Sequence, residues 1–106
     1  MKLKINWNDP ILSNALSVTP GDLDRFYLSA SETDRLNLFF VLLGSYHACE
    51  DSREGAHLCF LMAYYLFVTL TPPGSQALAL HYIRRAIALD PREEYETWLT
   101  LMEKGN

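Results

Sequence analysis

The sequence of 106 residues is poor in basic residues and in cysteine, and its glycines are scattered. Nine Lys and Arg stand against 13 Asp and Glu, a formal net charge of −4. This balance argues against nucleic-acid binding and against a polybasic membrane-surface role, since both need clustered positive charge. Two cysteines cannot form a disulfide framework, and five dispersed glycines make no phosphate-binding loop. The length supports one domain over residues 1–106.

Charge is also missing from two long stretches. Residues 36–49 and 55–83 contain no Asp, Glu, Lys or Arg, and the polar turn 50–54 separates them. A domain of this size has a high surface-to-volume ratio and exposes most of its length to water. The two stretches therefore predict apolar surface that something else covers.

No segment has the pattern of a membrane span or a leader. The longest apolar run, 58–68, is shorter than the roughly 18–20 residues that cross a bilayer. Polar residues follow Lys2 and Lys4, where a signal peptide would have its apolar region. We therefore expect a soluble, cytoplasmic protein. A membrane hairpin formed by 36–48 and 56–71 remains the alternative.

Capping residues mark where helices begin. Thr19 and Ser31 each precede a segment with acidic residues and helical apolar spacing, and Asp9 precedes Pro10 in the same way. The pattern predicts an all-α fold, a small helical-hairpin array of about five helices. An extended arm over 1–8 precedes it, and an amphipathic capping helix over 92–103 closes it.

Three local predictions follow from the same residues. The pair Asp9 and Pro10 opens a short helix that ends near residue 17. A single helix covers about 52–70. Thr71 ends that helix and caps the next, whose first turn holds the prolines at 72 and 73.

Residues 77–91 contain a repeat-like pattern. Small and large residues alternate at Ala79, Ile83 and Ala86, and Pro91 follows. Two alanines on one face let a neighbouring helix approach closely, and Ile83 packs between them. Over about 60–91 the chain resembles a tetratricopeptide repeat, well in its second helix and poorly in its first, where Ala63 occupies the family's tryptophan position. The resemblance implies a helical protein-binding array capped by helix 92–103.

Small size, acidity and a partial repeat also resemble the small chaperones of bacterial type III secretion. That resemblance implies a chaperone that keeps a secreted subunit monomeric, often together with a second small chaperone. The residues themselves favour the same class, a non-enzymatic adaptor or chaperone that binds an apolar or amphipathic helix of a protein partner.

The predicted partner-binding surface lies on the second uncharged stretch and the helix that faces it. Arg84 is an anion contact for a partner, or pairs with acids such as Asp90 or Glu94. Trp7 on the arm either anchors the arm or engages a partner. The predicted partner-binding residues are Phe60, Tyr64, Tyr65, Phe67, Leu80, Ile83 and Arg84.

Two alternatives come from other classes. In the first, the apolar faces bury each other in a homodimer with no other partner. Two H-x-C units also contain residue types that bind zinc, namely His47, Cys49, His57 and Cys59. Residues two apart on a helix point in nearly opposite directions, so one unit cannot chelate a metal alone. The residue spacing shows no nucleophile with an orienting partner and no cofactor motif, so we expect no enzyme and no cofactor.

Overall fold

The structure, a computed structural model that describes residues 3–105, consists of helices joined by short turns. Within that range there is no strand, so the predicted all-α class with five helices is confirmed. A 3₁₀ turn at Ala15–Ser17 precedes the first helix, and a π-helical segment at Tyr65–Leu70 continues the third. The helices are α1 (Pro20–Ser29), α2 (Glu32–Ala48), α3 (Ser52–Tyr64), α4 (Ser75–Leu89) and α5 (Glu93–Lys104).

The predicted caps open α1 and α2. The Thr19 hydroxyl accepts from the Asp22 amide at 3.2 Å, and the Asp22 carboxylate accepts from the Thr19 amide at 2.9 Å, which is a reciprocal capping box. The Ser31 hydroxyl accepts from the Asp34 amide at 3.2 Å. The Thr19 and Ser31 hydroxyls thus bind amides of the first helical turn, which a helix start leaves without an intrahelical partner. The local sequence therefore sets these two boundaries.

The central element is α3, and the other helices surround it. Helices α2 and α4 pack directly on α3, α5 packs on α4, and α1 packs on the π-helical segment. From residue 55 to residue 63 only His57 is not fully buried. A helix buried on all sides carries no charge, which explains most of the second uncharged stretch.

Helix α4 buries the face that carries the repeat-like pattern. Ala79, Ile83 and Ala86 are fully buried, and this face lies against α3 in the most extensive helix–helix interface of residues 3–105. Small side chains on one helical line let two helices approach closely, with Ile83 filling the space between the alanines. The observed packing has the features that the spacing predicts, while membership of a repeat family stays a prediction.

The predicted helix after Asp9 is wrong. Residues 9–14 are not helical, and only the 3₁₀ turn Ala15–Ser17 forms. The reason is tertiary, because the Leu12 amide donates to the Ser45 hydroxyl of α2 at 2.9 Å instead of to a carbonyl of its own segment. The chain from 3 to 14 therefore lies across the helices as an arm. It is not extended throughout, because residues 7 and 8 form a turn in which the Asp9 amide donates to the Asn6 carbonyl at 3.0 Å. Residues 1 and 2 of the predicted extended arm over 1–8 lie outside the described residues.

The predicted junction between α3 and α4 is also wrong in detail. Thr71 adopts a left-handed conformation (φ 47°), and its amide donates to the Leu66 carbonyl at 3.1 Å. Thr71 therefore closes the π-helical segment and cannot cap α4. Gly74 (φ 77°) precedes α4 instead, so Pro72 and Pro73 lie in the turn and not in the helix. A left-handed position at a helix boundary favours glycine.

Asp24 of α1 explains why the π-helical segment is held in place. Its carboxylate accepts from the Tyr64 hydroxyl at 2.7 Å and from the Thr69 hydroxyl at 2.6 Å. Burial together with Asp24 raises the pKa of Tyr64 to about 12, so this hydroxyl stays protonated and remains a donor. One carboxylate thus joins α1 to both ends of the segment.

We predict a pH-dependent contribution from Asp22. The hydrogen bond from the Thr19 amide and the Arg25 guanidinium hold the pKa of this buried carboxylate below its usual value of 3.8. Because the folded state lowers the pKa, the stabilisation is complete above the unfolded value and disappears as the pH falls through the folded value, below about pH 4. Asp22→Asn should cost about 1–2 kcal/mol of unfolding free energy at pH 7.

Urea unfolding of the wild type and Asp22→Asn at pH 7 and pH 3 measures this contribution. The difference in unfolding free energy between the wild type and Asp22→Asn should be smaller at pH 3 than at pH 7. A difference that is the same at both pH values would show that the Asp22 charge does not stabilise the fold. Glu93→Gln, an exposed acid in the first turn of α5, serves as the matched control.

Candidate functional site

Four of the seven predicted partner-binding residues are core residues. Phe60, Tyr65, Phe67 and Ile83 expose at most 6% of their surface. The prediction that they form an exposed apolar face is therefore wrong. The physical reason is the position of α3, whose uncharged surface is covered by the neighbouring helices of the same chain. Lack of charge alone does not distinguish a central helix from a docking face.

The other three predicted residues are partly or fully exposed, but each of them already contacts another part of the same chain. The Tyr64 ring lies 5.4 Å from the Trp98 ring and its hydroxyl bonds to Asp24. Leu80 packs partly buried against the core. Arg84 is exposed, and its guanidinium lies 3.8 Å from the Glu103 carboxylate. These residues do not form one continuous surface with the buried four.

The exposed apolar surface lies on α2 and the arm instead. Leu36 and Phe40 expose 54% and 63% of their surface, and Trp7 and Ile11 of the arm expose 46% and 44%. We call these four residues the α2 stripe. Within residues 3–105 the other large exposed apolar side chains lie one to an element, at Leu16, Leu28, Val68, Leu78 and Leu101.

The α2 stripe follows from helical geometry. At 100° per residue, Glu32, Leu36, Phe40 and His47 fall within about 80° of one another, so they share one face of α2. The opposite face carries the buried residues Leu38, Val41, Leu42 and Ser45. Because both faces of the helix are apolar, α2 has almost no amphipathic character, and its sequence does not show which face is inside.

Hydrogen bonding and close packing attach the arm to α2. Besides accepting from the Leu12 amide, the buried Ser45 hydroxyl donates to the Val41 carbonyl at 2.7 Å. The arm passes close to α2 at Gly44, where a Cβ would lie 3.7 Å from the Ile11 Cδ1 atom, an ordinary van der Waals distance. Leu3 and Leu12 are buried in the core, so the arm is held near both of its ends.

The arm and α2 enclose a shallow apolar groove of about 200 Å³. The Trp7 ring forms one wall and is itself supported by the Phe26 ring at 6.5 Å. On the other side of the stripe, α4 approaches α2, where the Phe39 ring lies 6.1 Å from the Tyr82 ring. The groove is lined by Trp7, Pro10, Asn37, Phe40 and Val41.

The charges near the α2 stripe are mainly negative. Glu32 and Asp34 lie at the start of α2, and Glu50 and Asp51 follow its end. Arg35 is turned away, because its Nε donates to the Tyr27 carbonyl at 2.8 Å and its guanidinium lies 4.1 Å above the Tyr27 ring. At the second end Arg85 lines one cavity together with Glu50 and Asp51, so the two carboxylates there are partly balanced by one guanidinium.

The four His and Cys residues of the metal alternative do not gather at one site. Within residues 3–105 no group of three or more His, Cys, Asp or Glu is placed to hold a metal ion. His47 is exposed, whereas the His57 Nε2 donates to the Val18 carbonyl at 2.7 Å. Burial raises the pKa of Cys59 to about 12 and raises that of Cys49, so both thiols stay protonated.

Comparison with models of known protein families, with curated proteins and with solved structures gave no match. Among the helices of residues 3–105, none is both long and apolar enough to cross a bilayer.

One sequence signal could have identified the α2 stripe. The first uncharged stretch places Leu36 and Phe40 one helical turn apart, directly after Glu32 on the same face. By contrast, residues 58–67 contain no strongly polar side chain on any face, which is typical of a helix enclosed on all sides. Comparing the two stretches favours α2 as the exposed one.

Proposed function

We propose that the protein is a non-enzymatic adaptor or chaperone that binds a helical segment of another protein on the α2 stripe. The observation that carries this proposal is the exposure of Leu36 and Phe40 beside Trp7 and Ile11 on the arm. Contiguous exposed apolar surface with a polar rim is typical of interaction sites, whereas single exposed apolar residues are normal anywhere. Trp and Phe are also the residue types that make large contacts at low entropic cost.

The absence of enzymatic function is part of the proposal. Both cysteine thiols have raised pKa values, so they are poor nucleophiles at neutral pH. The proton on His57 Nε2 is donated to a backbone carbonyl, so this nitrogen is not free to act as a base. Catalysis by a cysteine or by His57 would not account for the exposure of Phe40, whereas an interaction surface does.

The finer proposal is a chaperone of the kind found in bacterial type III secretion, working in the cytoplasm. It is supported by the resemblance to a tetratricopeptide repeat over about 60–91 and by the hairpin-by-hairpin packing of α2 to α5. The packing of Ala79, Ile83 and Ala86 into the core agrees with the role of those positions in such repeats.

The second candidate is a homodimer that buries the α2 stripe between two copies. Its size argues against this candidate, because the four side chains expose on the order of 400 Å² of apolar surface. An obligate homodimer buries more than about 1,000 Å² on each partner, of which roughly 65% is apolar, and the stripe supplies less than that.

Light scattering of the purified chain distinguishes the two candidates. We expect the mass of one chain at micromolar concentration, with any association at higher concentration removed by Phe40→Glu. A stable dimer that Phe40→Glu converts to monomer would show that a second copy occupies the stripe and would contradict the proposal. Leu101→Glu, which changes an exposed apolar residue of α5, is the matched control.

A further inference from the structure

We propose that the segment bound on the α2 stripe is an amphipathic helix that carries Lys or Arg at both ends of its apolar face. This inference depends on the proposed function and specifies its partner. The juxtaposition that supports it is an apolar stripe on α2 with carboxylates at both of its ends. The shape of the surface, its exposed apolar area and the charges around it each support this kind of partner.

The shape of the surface fits a helix lying along α2. The shared face from Glu32 to His47 is about 22 Å long at 1.5 Å per residue, which corresponds to four turns. The arm borders this face on one side through Trp7 and Pro10, and the contact between Phe39 and Tyr82 of α4 borders it on the other. A helix of similar length can place residues at i, i+4 and i+7 against such a face.

The exposed apolar area of the α2 stripe also fits a single bound helix. About 400 Å² is too small for one half of an obligate dimer, but three or four apolar anchors of a short helix cover an area of this order. Two of the four stripe residues are aromatic, and the Trp7 ring is held in place by Phe26. A fixed aromatic wall loses little side-chain entropy when a partner binds.

Charge determines which helix is favoured. Glu32 lies at one end of the stripe face and Glu50 and Asp51 follow the other end, and none of them forms an ion pair within residues 3–105. Asp34 is on the opposite side of α2, at about 200° from Glu32, and does not face the stripe. The Cys49 end of α2 adds the partial negative charge of the helix dipole. At the Glu32 end the dipole is positive, but its roughly half a charge offsets only part of the charge of the Glu32 carboxylate.

Of the other charged groups nearby, Arg85 opposes this field, because it lines one cavity together with Glu50 and Asp51 while its Nε donates to the Tyr46 hydroxyl at 3.0 Å. Two carboxylates and one guanidinium leave this end with a net negative charge. Arg35 is held against Tyr27, as described above. On the arm, Lys4 and Asp9 are both exposed and carry opposite charges. Unpaired carboxylates at the rim of an interface select for basic partners, and they raise the association rate at low salt.

Selection from a displayed library of helical peptides tests the inference. Each peptide has apolar anchors at i, i+4 and i+7, drawn from Leu, Ile, Met and Phe, and two randomised residues at each end. The library is selected against the wild type and counter-selected against Phe40→Glu. We expect Lys and Arg to exceed Asp and Glu at the randomised ends, and the selected peptides to need Phe40.

Charge reversal on the protein provides the matched control. The double variant Glu32→Lys, Glu50→Lys leaves the capping residue Asp51 in place and changes only exposed side chains. It should bind a Lys-flanked peptide at least tenfold more weakly than the wild type does at low salt, and a Glu-flanked peptide more tightly. Isothermal calorimetry measures both affinities, and circular dichroism checks that the variant is folded.

The failures of the two proposals are distinguishable. If the selected peptides need Phe40 but show no excess of basic residues at their ends, the charge inference is overturned and the proposed function stands. If no peptide is selected, or if the selected peptides bind Phe40→Glu as well as the wild type, the α2 stripe is not a helix-binding surface and both proposals fail.

Discussion

Phe40→Glu is expected to abolish recovery of the protein partner while the chain stays folded. Phe40 is the most exposed residue of the α2 stripe, so its carboxylate replacement stays in water in the free protein and costs little stability. In the complex the same carboxylate would be buried against an apolar helix without a hydrogen-bonding partner. We expect the affinity to fall at least about a hundredfold, the size of effect typical of a central aromatic contact.

The measurement is quantitative affinity purification of the tagged chain from its native source. Leu36→Glu should have the same effect, because Leu36 precedes Phe40 by one turn on the same face. Leu101→Glu of α5 is the matched control and should leave recovery unchanged. Equal recovery with wild type and Phe40→Glu, with both proteins folded, would exclude the α2 stripe as the binding surface.

The second large effect is on stability, since Phe60→Ala should lower the unfolding free energy by about 3–5 kcal/mol. Phe60 is almost fully buried, and its ring lies 5.3 Å from the Tyr95 ring and 6.4 Å from the Trp98 ring. Removing it leaves a cavity where α3 meets α5. A typical domain is stable by only about 5–15 kcal/mol, so this loss is a large part of the total.

Urea unfolding monitored by circular dichroism measures the cost of Phe60→Ala. Val68→Ala is the control, because Val68 is exposed at the π-helical segment and its truncation should change the free energy by less than about 1 kcal/mol. A loss below about 1 kcal/mol for Phe60→Ala, combined with loss of partner binding by the folded variant, would restore Phe60 as a surface residue and contradict the fold described above.

The fold class and most helix boundaries could be predicted from the sequence because they depend on local chemistry. Thr19 and Ser31 accept hydrogen bonds from amides three residues later, and Pro91 follows the end of α4 closely. The small residues of α4 marked the face that packs on α3. None of these features requires knowledge of a distant part of the chain.

The failed predictions depend on tertiary contacts instead. Asp9 and Pro10 have the residue types of a helix start, but a hydrogen bond from Leu12 to Ser45, 33 residues away, holds the segment as an arm. The π-helical segment is joined to α1 through Asp24, which is 45 residues from Thr69. Periodicity within a window cannot show such contacts.

The prediction that Phe60, Tyr65 and Phe67 are exposed failed for a related reason. The absence of charge from 36–49 and 55–83 correctly marked unusual surface, but it has two different causes. Helix α3 lacks charge because the chain itself covers it, whereas α2 lacks charge on its outer face as well. Only the order in which helices pack separates the two causes, and that order depends on the whole chain.

Site-specific photocrosslinking from position 40 tests the central proposal most directly. A photoreactive phenylalanine analogue at position 40 places the reactive group on the α2 stripe with little change in side-chain size. After irradiation in the native source, we expect a covalent adduct with a helical segment of a different protein, and no such adduct from the same analogue at position 101. An adduct with a second copy of this chain, or equal adducts from both positions, would contradict the proposal.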